Sequence, residues 1–123
     1  MNKEIVVQEI ESLIRSLDFI QDEQAFIKRK LSSLLENMVL HDFIEWAEDL
    51  QLQIINRETA IKLLRSDIIL LKNKTKLTKS TNNIVDISLV HDFKKFKQQV
   101  VYLETQFMTW KNDVNERFEA ALF

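Results

Sequence analysis

The side chains best suited to acid–base or metal chemistry are two histidines that stand in similar surroundings. His41 and His91 are both followed by Asp and Phe. An imidazole nitrogen can bind a transition metal or transfer a proton near neutral pH. Neither histidine belongs to a Glu-x-x-His or His-Glu-x-x-His pattern, which would bring several ligands to one helical face. His41 with Glu45, one turn later, would supply two ligands, which make a poor site, so we expect no metal.

The sequence contains no glycine, no proline and no cysteine. Rossmann and P-loop proteins need glycine because their backbone must approach a phosphate closely. Without cysteine there are no thiolate zinc ligands, disulfides or cysteine nucleophiles. A serine or threonine nucleophile would need a nearby base and an oxyanion site. We therefore predict a protein that is not an enzyme, with no cofactor and no evident small-molecule substrate.

One short segment suggests a different function. The residues His91-Asp92-Phe93-Lys94-Lys95 resemble the segment around the phosphate-accepting histidine of phosphotransfer domains, which are helical bundles of about this size. Those domains commonly have glycine one turn after the histidine, where this chain has Lys95. The resemblance implies a histidine phosphotransfer-like signalling domain in which an outward-facing His91 accepts a phosphoryl group. It is the alternative to the function predicted from the rest of the chain.

Length and composition predict a single domain over residues 1–123. The chain is 46% hydrophobic and 29% charged, with a formal net charge of −2, which is ordinary for a globular protein. Acidic residues near the start do not fit a signal peptide, and no apolar run reaches the roughly 20 residues of a membrane span. We expect a cytoplasmic protein without membrane contact. Because hairpin turns depend on glycine, its absence favours long helices over a sheet.

Apolar residues recur in alternating steps of four and three, which is typical of coiled-coil helices. The first such series predicts a helix over about residues 2–38, with these core positions: Val6, Ile10, Leu13, Leu17, Ile20, Gln24, Ile27, Leu31, Leu34 and Met38. A second series from Phe43 to Leu71 predicts a helix over about 42–78. A third, from Leu89 to Leu122, predicts one over about 84–122, capped by either Asn83 or Asp86.

Short connections force neighbouring helices to run antiparallel. In the first pair, Ile10 falls opposite Leu71 when the two series are aligned, and every other core position also finds a partner. In the second pair, Leu50 falls opposite Trp110. The fold class is therefore predicted to be all-α, an up-down-up antiparallel three-helix bundle with coiled-coil-like packing.

Two polar residues interrupt the core positions. Gln24 and Arg57 align with each other, and Glu104 falls at the same level on the third helix. A buried guanidinium needs a partner, so we predict that Arg57 pairs with Glu104, or failing that with Glu23, while Gln24 accepts one of its N–H groups. We interpret this core polar layer as a device that fixes helix register. A buried charged binding site is the other interpretation.

Large apolar residues also lie away from the core positions. We predict an interface that includes Phe19, Phe26, Leu52, Ile55 and Leu63. Each helix of a three-helix bundle needs a wide apolar face, which accounts for part of this surplus. Leu52, however, points directly away from the core. The surplus predicts a second interface, either with another copy of the chain or with a partner helix.

Charge is divided between the two ends of the predicted bundle. Lysines gather between Lys72 and Lys97, whereas acidic residues gather between Glu36 and Asp49. This division favours self-association. Nucleic-acid binding is not favoured, because the basic end lacks arginine, has no stacking aromatics outside the core positions, and belongs to an acidic chain. Whether this end binds an anionic ligand is left open. We predict a non-enzymatic protein–protein interaction or scaffold module that forms homo-oligomers.

Overall fold

A computed structural model describes residues 1–37, 41–78 and 84–122, except for the side chain of Leu122. Three long helices account for almost all of it: α1 (Lys3–Asn37), α2 (His41–Leu77) and α3 (Ile87–Leu122). The predicted all-α fold is confirmed. Two predicted positions, Met38 in the first helix and Asn83 as a cap, lie outside the described residues.

The third helix is capped by Asp86, the second of the two predicted caps, and so begins a few residues after the approximate bound of 84. The backbone N–H of Ser88 donates to Asp86 Oδ1 at 3.2 Å. The backbone N–H of Val90 donates to the carbonyl oxygen of Asp86 at 3.1 Å. A carboxylate that accepts from the first turn replaces a missing intrahelical acceptor and so defines the helix start. The helix therefore starts at Ile87 and not near residue 84.

The helices form the predicted up-down-up bundle, in which α1 contacts both other helices. Three ion pairs of the described residues flank the antiparallel boundary between α1 and α2, and one of them joins Lys28 to Glu58. Arg65 Nε donates to Asp18 Oδ1 at 2.7 Å, and Lys72 Nζ lies 3.2 Å from Glu11 Oε1. The hydrogen bond from Arg65 to Asp18 raises the pKa of the guanidinium above its usual value. Across the parallel boundary between α1 and α3, Lys111 Nζ lies 2.7 Å from Glu23 Oε2.

The core lies where the four-three spacing places it. In α1, every predicted core position from Val6 to Leu31 is buried, and Leu34 is half-buried. In α2 the buried positions include Ile54, Ile61 and Ile68. The third helix contributes bulk, with these buried residues: Phe93, Val100, Phe107, Trp110, Val114 and Phe118. Burial of each large apolar side chain contributes about 1.5–3 kcal/mol, so this continuous core is the main source of stability.

The third helix is displaced along the bundle axis by about one turn relative to the predicted alignment. Trp110 contacts Gln53 and Arg57, which lie about one and two turns beyond its predicted partner Leu50. At the far end, the ring of Phe118 meets the ring of Trp46 edge to face, with 5.6 Å between centroids. A four-three pattern matches itself after each heptad and nearly so after each turn. It therefore determines which face of a helix is buried but not its axial position.

The first residues of the chain contact the end of α2 and the start of α3. Lys3 Nζ donates to the carbonyl oxygens of Lys76 and Thr78, at 2.7 and 3.3 Å. The backbone N–H of Val85 donates to the carbonyl oxygen of Met1 at 3.0 Å. A lysine at the C-terminus of a helix satisfies carbonyl groups that have no intrahelical donor and complements the helix dipole. The start of α1 is thereby held against the end of α2 and against Val85, which precedes α3.

Candidate interaction surfaces

The core polar layer is built differently from the predicted arrangement. The guanidinium carbon of Arg57 lies 4.6 Å from the centroid of the Trp110 indole ring. The indole Nε1–H donates to Gln53 Oε1 at 2.9 Å. Arg57 is half-buried, and this burial lowers the pKa of its guanidinium. A cation above an aromatic face is stabilised by the ring quadrupole, so Trp110 takes the place of a carboxylate partner.

The predicted ion pair of Arg57 is absent from the described residues. Glu104 is exposed and lies in the groove between α1 and α3. Glu23, the second predicted partner, pairs with Lys111 instead. The cause is the axial position of α3, because Lys111 lies two turns farther along this helix than Glu104. The prediction of an ion pair for Arg57 was wrong. Gln24 nevertheless lies in the core, and Arg57 lies at its edge.

Gln24 is the buried polar residue of the layer. It is 1% exposed, and its Oε1 atom has no hydrogen-bond donor within the described part of the chain. The prediction that the side-chain oxygen of Gln24 accepts an N–H group of Arg57 is therefore wrong. A buried acceptor without a donor costs roughly 1–3 kcal/mol of stability. The role of this layer in fixing helix register stays a prediction.

The two histidines lie at opposite ends of the bundle, because α2 and α3 begin at opposite ends. His41 Nε2 lies 3.0 Å from Glu45 Oε1, and both side chains are largely exposed. His91 is exposed near the start of α3, with exposed Lys95 one turn later. Among residues 1–37, 41–78 and 84–122, no group of three or more His, Asp or Glu side chains could hold a metal ion.

The groove between α1 and α3 forms the first candidate interaction surface. Phe19 and Met108 line this open groove together with the charged residues Arg15 and Glu104. Phe26 follows Phe19 after one heptad, and each phenyl side chain is 56% exposed. The predicted interface residues of α1 therefore face solvent, but charged side chains interrupt the apolar surface around them.

The outer face of α2 forms the second candidate surface. Leu52 and Leu63 are 62% and 64% exposed, and Ile55 is 52% exposed. Leu70, which the sequence also places away from the core positions, is exposed on the same side of the helix, and so is Leu77, which the prediction did not include. Both continue the spacing of Leu63, and this periodicity is the signal by which the sequence could have revealed Leu77. Because the core isoleucines occupy the opposite side, α2 is apolar on two faces.

The basic end of the bundle is a set of solvent-facing lysines. Lys74, Lys76, Lys94 and Lys95 are exposed, while Lys72 is half-buried and pairs with Glu11. Lys97 lies 5.9 Å from the centroid of the buried Phe93 ring. At the other end, the described acidic residues are Glu36, Asp42, Glu45, Glu48 and Asp49, all of them exposed. Acidic residues such as Glu11, Asp86 and Asp92 also lie near the basic end, so the two ends differ in their excess charge and not in a complete separation of sign.

Comparison of the chain with family models, with curated protein sequences and with solved structures found no match. Within the described helices, no segment is both long enough and apolar enough to cross a membrane. The features of the molecule that bear on its function are its exposed apolar side chains and its charged ends.

Proposed function

We propose that this chain is a non-enzymatic protein–protein interaction module that associates with itself. The observation that carries the proposal is the exposure of large apolar side chains outside the core. Phe26 on α1, Leu63 on α2 and Tyr102 on α3 are each more than half exposed. Exposed apolar surface of this kind is removed from water when a partner binds, which provides a driving force for association.

The charge distribution supports self-association in particular. A molecule with one acidic and one basic end attracts a second copy of itself in an antiparallel or head-to-tail arrangement. Such attraction weakens as salt screens the charges, with a Debye length of about 10 Å at 0.1 M ionic strength. A cytoplasmic location is part of the proposal, since a chain without cysteine suits a reducing compartment.

Sedimentation velocity tests the proposal on the untagged protein, from low micromolar to several hundred micromolar concentrations. We expect the weight-average mass to rise with concentration. The double variant Phe26→Glu, Leu63→Glu should remain monomeric, because it places a charge on each of two apolar surfaces. Circular dichroism must show unchanged helix content in this variant. A wild-type protein that stays monomeric throughout the range would contradict self-association.

A second candidate function is phosphoryl transfer through His91. The observation that favours it is an exposed imidazole on the outer side of α3. Phosphorylation of an imidazole nitrogen requires that exposure. The exposed Lys95, one turn later, occupies the place where a partner domain would have to approach. Incubation with acetyl phosphate tests this function directly.

A further inference from the structure

The outer face of α2 carries a second four-three pattern on the side of the helix away from the core. We name this set of positions the outer stripe, and its members are Leu52, Asn56, Thr59, Leu63, Ser66, Leu70, Asn73 and Leu77. All eight are exposed. Four heptads of this spacing form a straight contact line along a supercoiled helix pair, about 38 Å long at 1.5 Å per residue.

The outer stripe contains no charged residue, although α2 is rich in charge. Every charged side chain between Leu52 and Leu77 lies beside the stripe or faces another helix, as Arg65 faces Asp18 and Lys72 faces Glu11. The groove between α1 and α3 differs, because Arg15 and Glu104 line it together with Phe19. A helix can therefore pack on the outer stripe without burying an unpaired charge.

On the basis of the self-association proposed above, we infer that the outer stripe is the dimer contact, and that two copies of α2 pair along it in antiparallel orientation. The occupant of this face is thus a second copy of the chain.

Charge determines this orientation. The acidic residues at the start of α2 are Asp42, Glu45, Glu48 and Asp49, and the basic residues at its end are Lys72, Lys74 and Lys76. A parallel pair would place the acidic residues of one chain beside the acidic residues of the other, and the lysines beside the lysines. An antiparallel pair separates like charges and brings each acidic end toward the basic end of the partner.

The outer stripe is also symmetric about the midpoint between Leu64 and Arg65. In an antiparallel pair centred there, Leu63 faces Ser66 of the other copy and Asn56 faces Asn73. Leu70 faces Thr59 and Leu52 faces Leu77, so a large residue meets a small one in half of the contact and two leucines pack against each other at each end. A single helix pair is smaller than a standard interface of about 800 Å² per partner, so we expect dissociation in the micromolar range.

Two single variants test which face is used, by sedimentation velocity on the full chain. Leu63→Glu places a carboxylate in the contact twice per dimer and should raise the dimer Kd at least about tenfold. Phe26→Glu, an equally exposed apolar residue on α1, should leave the Kd within about twofold. The reverse result would overturn the assignment to α2 but not self-association. A wild-type chain that is monomeric at all concentrations would overturn both.

Cysteine cross-linking tests the orientation cleanly, because the wild-type chain has no cysteine. In the antiparallel pair, Asn73→Cys chains hold their two thiols about 25 Å apart along the axis, beyond the reach of a short bismaleimide. A mixture of Asn56→Cys and Asn73→Cys chains, one of them carrying a size tag, should give the mixed cross-linked dimer. Cross-linking of Asn73→Cys with itself, or none in the mixture, would overturn the antiparallel alignment.

Discussion

The guanidinium of Arg57 stacks on the indole ring of Trp110, at 4.6 Å from its centroid, and this contact joins the middle of α2 to α3. The same indole donates a hydrogen bond to Gln53, which lies one turn before Arg57. Trp110 thus contacts two polar side chains of α2 while its ring remains largely buried. A buried tryptophan normally finds an acceptor for its N–H group, and Gln53 is the acceptor here.

A double-mutant cycle measures this stacking. We expect Arg57→Met and Trp110→Leu to be coupled by about 0.5–1 kcal/mol in the free energy of unfolding, determined by urea denaturation. The control cycle combines Arg57→Met with Glu104→Gln and should give a coupling close to zero. A clear coupling in the control cycle, with none in the first, would indicate an ion pair to Glu104 in place of the stack.

Replacement of Gln24 by leucine should stabilise the bundle. The buried Oε1 atom has no donor, so Gln24→Leu removes a desolvated polar group and should raise the free energy of unfolding by about 1–2 kcal/mol. Gln24→Ala is the matched control and should lower stability, because it leaves a cavity. If Gln24→Leu unfolds at lower urea concentration than the wild type, the amide stabilises the core and this account of it is wrong.

Lys3 should contribute to stability through the end of α2. Its ammonium group donates to two carbonyl oxygens there, so Lys3→Met should cost about 1 kcal/mol. Lys28→Met is the control, because Lys28 Nζ lies 3.5 Å from Glu58 and is well exposed, so its loss should be nearly neutral. Thermal unfolding compares the two variants. Equal stability of both would show that the contacts of Lys3 contribute nothing.

The two candidate functions differ in their response to a phosphoryl donor. If the chain is an interaction module, incubation with acetyl phosphate should add no phosphoryl group to its intact mass under non-acidic conditions, apart from any acetylation of exposed lysines. A gain of one phosphoryl group that disappears in His91→Gln would support phosphotransfer and contradict the assignment as a module without chemistry. His41→Gln is the control, because a gain that persists in both variants would indicate nonspecific modification, and one that disappears only in His41→Gln would place the phosphoryl group on His41 and not on His91.

The sequence allowed the fold to be predicted well, because burial follows local spacing. The positions from Val6 to Leu31 are buried as the heptad pattern predicts, and the pattern of α2 holds through Thr75. The axial position of α3 was predicted one turn away from its actual place. That position depends on how the bulk of residues such as Trp110 and Phe118 fits between the other helices. Spacing along one helix does not encode this fit.

The candidate sites were predicted less completely than the fold. The error in axial position placed Glu104 beside Arg57, and the ion pair predicted from it is absent from the described residues. The exposed residues Phe19, Phe26 and Leu52 were identified correctly as lying off the core, since their angular position follows from the heptad pattern. Whether they bind a partner is a property of two molecules, and the spacing within one chain does not contain it.

The parallel arrangement of α1 and α3 has a consequence for the order of folding. Contacts between these helices, such as Glu23 with Lys111, join residues that are separated by most of the chain. Contacts between α1 and α2 instead close a local hairpin, which costs less loop entropy. The contacts between α2 and α3 are local in the same sense, so a hairpin of successive helices should form first on the folding pathway and the α1–α3 contacts should form last, which means that these contacts mainly slow unfolding. The lifetime of the folded state would then depend on the boundary between the first helix and the last.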